Sequence, residues 1–197
     1  MHHVIVHSLA TIKIYDENPH VSEMMLTGGS PTMHPALVNE ITHFAKERGI
    51  LVTIETEGSH FLETDHPLDL ISLSPKFSNS VPVVGAITPN GAVADERMIK
   101  VHNRLRLNKE AMRKTLDYHK DYHFKPVWDG TDENLAEIEA FRVEMGIPKN
   151  KTFIMPAGDT RDQLIKMYPL VFELCAEKGY NMTGRDHIIA FNTERGV

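Results

Sequence analysis

The feature that most constrains this chain is an alternation. Short apolar runs recur between longer segments whose apolar residues return at helical spacing. Glu23-Met24-Met25-Leu26 is a short strand candidate ending at Thr27-Gly28-Gly29. Pro35 to Arg48 reads as a helix on Leu37, Ile41, Phe44 and Ala45, with Gly49 as its C-terminal cap. Ile50 to Glu55, rich in β-branched residues, is the next strand, and Leu68 to Leu73 a third. Asn108 to His119 reads as a helix with Asn108 as N-cap. Tyr122 to Trp128 reads as a fourth strand, in which Pro126 demands an edge or a bulge. Thr131 to Met145 is a helix capped by Thr131 or Asp132, and Thr152 to Met155 a fifth strand. Thr160 to Lys178 is a helix followed by Gly179, and His187 to Phe191 a closing strand. Strands alternating with helices imply βαβ units, a mostly parallel sheet and right-handed crossovers, so the fold class is α/β. Periodicity leaves open whether the sheet is doubly wound or curls toward a barrel. Ser78 to Asp95, with Pro82, Gly85, Pro89 and Gly91, lacks clear periodicity and reads as an extended loop or a small hairpin.

A length of 197 residues fits one domain over 1–197. The formal net charge of −6 argues against a surface that coats nucleic acid, and no apolar run approaches the ~20 residues that span a bilayer. Met1-His2-His3-Val4 does not open a signal-peptide layout, so a cytoplasmic address is expected. Cys175 is the single cysteine, which excludes an internal disulfide and a cysteine-rich metal site. Its setting, Leu174-Cys175-Ala176, is the apolar stripe of a helix, where a small buried hydrophobe is expected. The 12 histidines include a cluster at His2, His3 and His7, but none has the spacing of a metal-ligand motif.

In a parallel α/β sheet, ligands collect at the carboxyl ends of the strands. Thr27-Gly28-Gly29-Ser30-Pro31 closes the first strand with two glycines, whose backbone permits close approach to a ligand, and two hydroxyls. A plain strand-to-helix turn explains those residues equally well. Glu55-Thr56-Glu57-Gly58 closes the second; Glu55 points across the sheet top as a ligand contact or a hydrogen-bond acceptor, and Glu57 is expected to be solvent-exposed. Ser74-Pro75-Lys76 follows the third strand, where Lys76 is either a point charge for a ligand carboxylate or a surface lysine. Trp128 reads as a core anchor and Asp159 as a helix N-cap.

Taken in order, these strand ends resemble one family. Thr27-Gly28-Gly29-Ser30-Pro31 resembles the Gly-Gly-Glu-Pro motif of radical S-adenosylmethionine enzymes, with Ser30 in place of the glutamate. Glu55-Thr56-Glu57-Gly58 and Ser74-Pro75-Lys76 resemble that family's Glu-Thr-Asn-Gly and Ser-Pro-Lys segments. Arg185-Asp186-His187-Ile188-Ile189-Ala190-Phe191, then Arg195-Gly196-Val197, is similar to the ending of 7-carboxy-7-deazaguanine synthases. The resemblance implies a partial (β/α) barrel of the radical S-adenosylmethionine type. It implies conversion of 6-carboxy-5,6,7,8-tetrahydropterin to 7-carboxy-7-deazaguanine, using S-adenosylmethionine, a [4Fe–4S] cluster and magnesium. By motif matching, Gly28, Gly29, Ser30, Ser74, Pro75 and Lys76 bind S-adenosylmethionine, and Thr27, Glu55 and the carboxylate of Val197 bind the pterin. A homodimer is a family expectation; nucleic-acid and membrane partners are not.

One departure stands out. The family carries Cys-x-x-x-Cys-x-x-Cys upstream of the glycine motif, three thiolates that hold the cluster. No cysteine precedes Glu23 here. The expectation is a chain incomplete at its N-terminus; the alternative is a non-catalytic relative that binds a pterin or nucleoside without the cluster.

Overall fold

A computed structural model describes residues 13–28, 30–88 and 91–194. The chain divides into two compact units, one comprising residues 1–73 and 110–122, the other 74–109 and 123–197.

In the first unit, residues 13–17 are helical. Strands β1 (Glu23–Leu26), β2 (Leu51–Thr56) and β3 (Leu70–Leu73) follow, with helix α1 (Pro35–Glu47) after β1. All three strands run parallel: Leu26 aligns with Ile54, and Thr56 with Leu73. Their carboxyl ends are therefore neighbours on one edge. The register sorts the side chains into two faces. Met24, Val52, Ile54, Thr56, Ile71 and Leu73 share one face and are buried. Helix α1 packs against β2 and buries Val38, Ile41 and Ala45, about 1.5–3 kcal/mol for each large apolar side chain so covered. Glu23, Met25, Leu51, Thr53, Glu55 and Ser72 share the other face.

Helix α2 (Glu96–Leu105) belongs to the second unit. Helix α3 (Lys109–Tyr118), starting one residue into that unit, otherwise belongs to the first and buries Ala111 and Met112. Just beyond α3, His119 ties down the loop after β2. Its Nδ1 accepts the Leu68 N–H at 3.0 Å, and its Nε2–H donates to the Leu62 carbonyl at 3.3 Å. Burial lowers the imidazole pKa to about 4, against the opposing effect of the Leu62 bond. β4 (Tyr122–Phe124) is the fourth member of the sheet, in the order β1-β2-β3-β4, and lies where the chain leaves this unit.

In the second unit, β5 (Val127–Trp128), β6 (Phe153–Pro156) and β7 (Asn181–Met182) form a parallel sheet in that order. Helices α4 (Asp132–Glu144), α5 (Arg161–Lys178) and α6 (Asp186–Phe191) complete it. Its core holds an aromatic cluster in which Phe77 meets Phe141 edge-on at 5.5 Å and Phe124 stacks on Phe141 at 5.6 Å. Trp128 is buried and donates its indole N–H to the Thr131 carbonyl at 2.9 Å. Cys175 is buried; its thiol donates to the Asn181 carbonyl at 3.2 Å, and burial raises its pKa.

Three sequence expectations are corrected. The strand expected over Tyr122 to Trp128 is two strands in different sheets, broken at Lys125-Pro126. Pro126 has no N–H to give a ladder and serves only as an acceptor, for the Met155 N–H at 2.9 Å. His187 to Phe191 is helical, as α6. Arg161 holds that helix end, donating from Nε to the Ile189 carbonyl and from Nη2 to the Ala190 carbonyl, each at 2.6 Å. The third parallel strand of this unit is β7 instead. The N-cap of α5 is Thr160, not Asp159: Thr160 and Gln163 form a reciprocal capping box. Residues 78–95, expected as an extended loop or a small hairpin, are followed by a helix for which no element was expected, α2, which Asp95 caps through the Met98 N–H at 2.7 Å. Within 78–95 the chain forms a turn with an antiparallel bridge between Ile87 and Val93. Among the described residues, no helix is long and apolar enough to cross a membrane.

Candidate functional site

The carboxyl ends of β1 and β2 carry a network of hydroxyls and carboxylates. β1 aligns Leu26 with Ile54, so the next residues, Thr27 and Glu55, stand side by side. The Thr27 hydroxyl donates to Glu55 Oε2 at 2.9 Å. Three residues on, the Ser30 hydroxyl donates to Glu57 Oε1 at 2.8 Å and lies 3.1 Å from the Thr32 hydroxyl. Ser59 donates to the same Glu57 oxygen and sits 2.8 Å from His60 Nδ1. Glu57, expected to be solvent-exposed, is therefore half-buried and accepts two hydroxyls, because the turn after β2 folds back toward the turn after β1.

The backbone is specialised at both turns. Ser30 has φ +57°, a left-handed conformation that costs a non-glycine residue roughly 1–2 kcal/mol. Such strain collects where a side chain must be aimed. Gly58 has φ +77°, and a Cβ there would stand 2.7 Å from both Leu73 Cδ1 and Met112 Cγ. Its N–H donates to the Thr56 hydroxyl at 3.0 Å. Gly58 thus seats the end of β2 on β3 and α3, with no room for a side chain.

A second pair lies further down the same sheet face, where the Thr53 hydroxyl donates to Glu23 Oε1 at 2.6 Å. Ser72, aligned with Glu55 in the register, is buried, and its hydroxyl has no hydrogen-bond partner. The first unit thus presents a polar face bearing two carboxylates, three hydroxyls and, at the turn above, Ser30 and Glu57. Such a face suits a flat ligand rich in N–H donors: carboxylates accept, and hydroxyls rotate to give or take.

Within the second unit, Ser74 and Pro75 are buried and Lys76 is exposed. In sequence they follow the last residue of β3. Of the predicted site residues, Thr27 and Glu55 are bonded to each other, Ser30 is bonded to Glu57 at the same strand ends, and Gly28 lies in the turn between Thr27 and Ser30 with φ +81°. Gly29, Val197 and the histidines at 2, 3 and 7 lie outside the described residues. Glu23, Thr53 and Ser72 escaped the sequence reading. Period-two alternation of Glu23, Met25 and Thr27 against Met24 and Leu26 was the signal that could have found the first of them. Among the described residues, no group of three or more His, Cys, Asp or Glu side chains is placed to hold a metal.

No family model matches the chain. It is 30% identical over 177 residues to a 7-carboxy-7-deazaguanine synthase of Rhodopirellula baltica, covering 90% of this chain and 64% of the relative. It is 29% identical over 191 residues to a protein of the same name from Halobacterium salinarum, covering 93% and 69%. Among solved structures, QueE from Escherichia coli superposes with a TM-score of 0.54 at 15% identity, covering 90% of this chain and 63% of that one, which makes the fold alike. The chain thus spans somewhat less than two thirds of the length of the Rhodopirellula relative.

Proposed function

We propose that this chain, a relative of the 7-carboxy-7-deazaguanine synthases, acts in the conversion of 6-carboxy-5,6,7,8-tetrahydropterin to 7-carboxy-7-deazaguanine. Its part is to bind the pterin and S-adenosylmethionine. The observation that carries this reading is the Thr27–Glu55 pair, in register on the polar face of the β1–β3 sheet. A carboxylate held by a neighbouring hydroxyl, half-buried at a strand end, is an oriented acceptor for the N–H edge of a pterin. Thr27 orients Glu55, and Glu55 accepts from the ring. Gly28, Gly29, Ser30, Ser74, Pro75 and Lys76 take S-adenosylmethionine, Lys76 as a point charge for its carboxylate. Val197 is a further pterin contact on this reading. A cytoplasmic homodimer is the assembly proposed.

The residues present do not fit an iron–sulfur cluster. Such clusters need several thiolates. The sequence has one cysteine, and Cys175 is buried with its thiol donated to a backbone carbonyl. For magnesium, the described residues bring together no group of three or more His, Cys, Asp or Glu side chains. What these residues do is bind, orient and exclude water around the reacting molecules.

The test is calorimetry with S-adenosylmethionine and, separately, anaerobic reconstitution with iron and sulfide. S-Adenosylmethionine binds, and Lys76→Ala weakens it roughly tenfold, the loss of one charge-assisted contact. The reconstituted chain alone gains no iron–sulfur absorbance near about 400 nm. A chain that does not bind S-adenosylmethionine would refute the reading, and a brown protein would show that a cluster does form.

A further inference from the structure

We infer that the ion pair of Arg106 and Glu137 is a positioning device for Lys76; the inference rests on the reading of Lys76 given above. Lys76 sits on a short exposed segment whose sequence provides no stiffness beyond Pro75. Three contacts within the second unit fix it. Below, Phe77 is fully buried in the aromatic cluster with Phe124 and Phe141. On one side, Arg106, the residue that ends α2, donates from Nη1 to the Lys76 carbonyl at 3.2 Å. On the other, Glu137 of α4 accepts at Oε2 both the Ser78 N–H at 2.9 Å and the Ser78 hydroxyl at 2.5 Å. The two clamps are joined, because the same Arg106 Nη1 donates to Glu137 Oε1 at 3.1 Å.

The backbone on both sides of Phe77 is thus held by one pair of opposite charges, and the pair is mostly shielded from solvent, with side-chain exposures of 18% and 25%. Neither group has the loose, solvated geometry that makes surface pairs worth little. Burial raises the Glu137 pKa, but the Ser78 hydroxyl, the Ser78 N–H and Arg106 outweigh it and leave the carboxyl below its usual range. It therefore stays charged as an acceptor at neutral pH. Arg106 is held in turn by its Nε–H, which donates to Asn103 Oδ1 at 3.2 Å. An arginine bonded to a carbonyl, a carboxylate and an amide oxygen is not a spare surface cation. Its place at the end of α2 gives that unanticipated helix a purpose: it delivers the guanidinium to the Lys76 carbonyl.

The pair acts through the loop and not on the ligand, so two readouts are needed, both on the full chain. Arg106→Met and Glu137→Leu are expected to speed amide hydrogen exchange over residues 76–80 about tenfold or more, while β6 exchanges as before. Each is expected to weaken S-adenosylmethionine binding about tenfold, with Arg106→Lys restoring most of the loss. In a Lys76→Met background, Arg106→Met should cost no further affinity, since it works through the lysine. Unchanged exchange over 76–80 overturns the inference. So does faster exchange with undiminished affinity, or a loss that simply adds to that of Lys76→Met. If the unsubstituted chain binds no S-adenosylmethionine, the proposed function fails, and exchange alone then decides whether the pair holds the segment.

Discussion

The two faces of the β1–β3 sheet come from the same short strands yet are built on opposite terms. One carries Met24, Val52, Ile54, Ile71 and Leu73, all buried, and stabilises the unit by removing apolar surface from water. The other carries Glu23, Thr53, Glu55 and Ser72, with Met25 and Leu51 left more than half exposed. A sheet covered on both sides reads as continuous apolar runs. Here the alternation within β2, Thr53 and Glu55 against Val52 and Ile54, marks a face kept polar. The first face makes the fold, and the second is the one proposed to meet the ligand.

Substitutions on the two faces should separate stability from binding. The largest expected effect is on the apolar side. Ile54→Ala leaves a cavity in a site with 1% exposure and should cost about 2–5 kcal/mol in urea unfolding. Gly58→Ala comes next. It combines a positive φ with a Cβ 2.7 Å from two side chains, and should cost roughly 2–4 kcal/mol. If Gly58→Ala unfolds at the same urea concentration as the parent, the tight seating of β2 is wrong.

The third effect is of pH. Folded, His119 has a pKa of about 4; unfolded, it returns to its ordinary 6.5. Between those values the unfolded chain binds a proton that the folded chain refuses. Stability therefore falls as the pH drops through that window, by about 3 kcal/mol in full. Urea midpoints measured from pH 7 to pH 4 should show this decline, and His119→Asn should flatten it. The smallest effect is at Ser72→Ala, which removes a buried hydroxyl with no partner and should be neutral or slightly stabilising, within about 1 kcal/mol. A large loss there would mean that the polar face is part of the packing after all.

How much of this was legible in the sequence differs between the two units. In the first, β1, β2 and α1 fell within a residue or two of their expected bounds, because each is a clean periodic run closed by Gly28, Gly49 or Gly58. In the second, Ile188-Ile189 looked like a strand, since β-branched residues favour one. α6 is helical because Arg161 captures its last carbonyls, a contact 28 residues away that no local pattern reveals. Helix α2 was missed although Met98, Ile99, Val101 and Leu105 recur at helical spacing; it is short, strongly polar on average and buries none of its residues. The strand-end motifs pointed to Thr27, Ser30 and Glu55, but not to their partners. That Glu57 serves Ser30 and Ser59, and that Arg106 and Glu137 share Ser78 and Lys76, are facts of tertiary proximity.

The claim on which the account depends is that the polar face is the ligand face. It is tested most directly by titrating 6-carboxy-5,6,7,8-tetrahydropterin into the parent chain and into Glu55→Gln in a calorimeter, with thermal unfolding measured alongside. The account predicts that the parent binds and that Glu55→Gln loses affinity about tenfold or more while its unfolding temperature stays within a few degrees. Equal binding by the two proteins, or none by the parent, would contradict it.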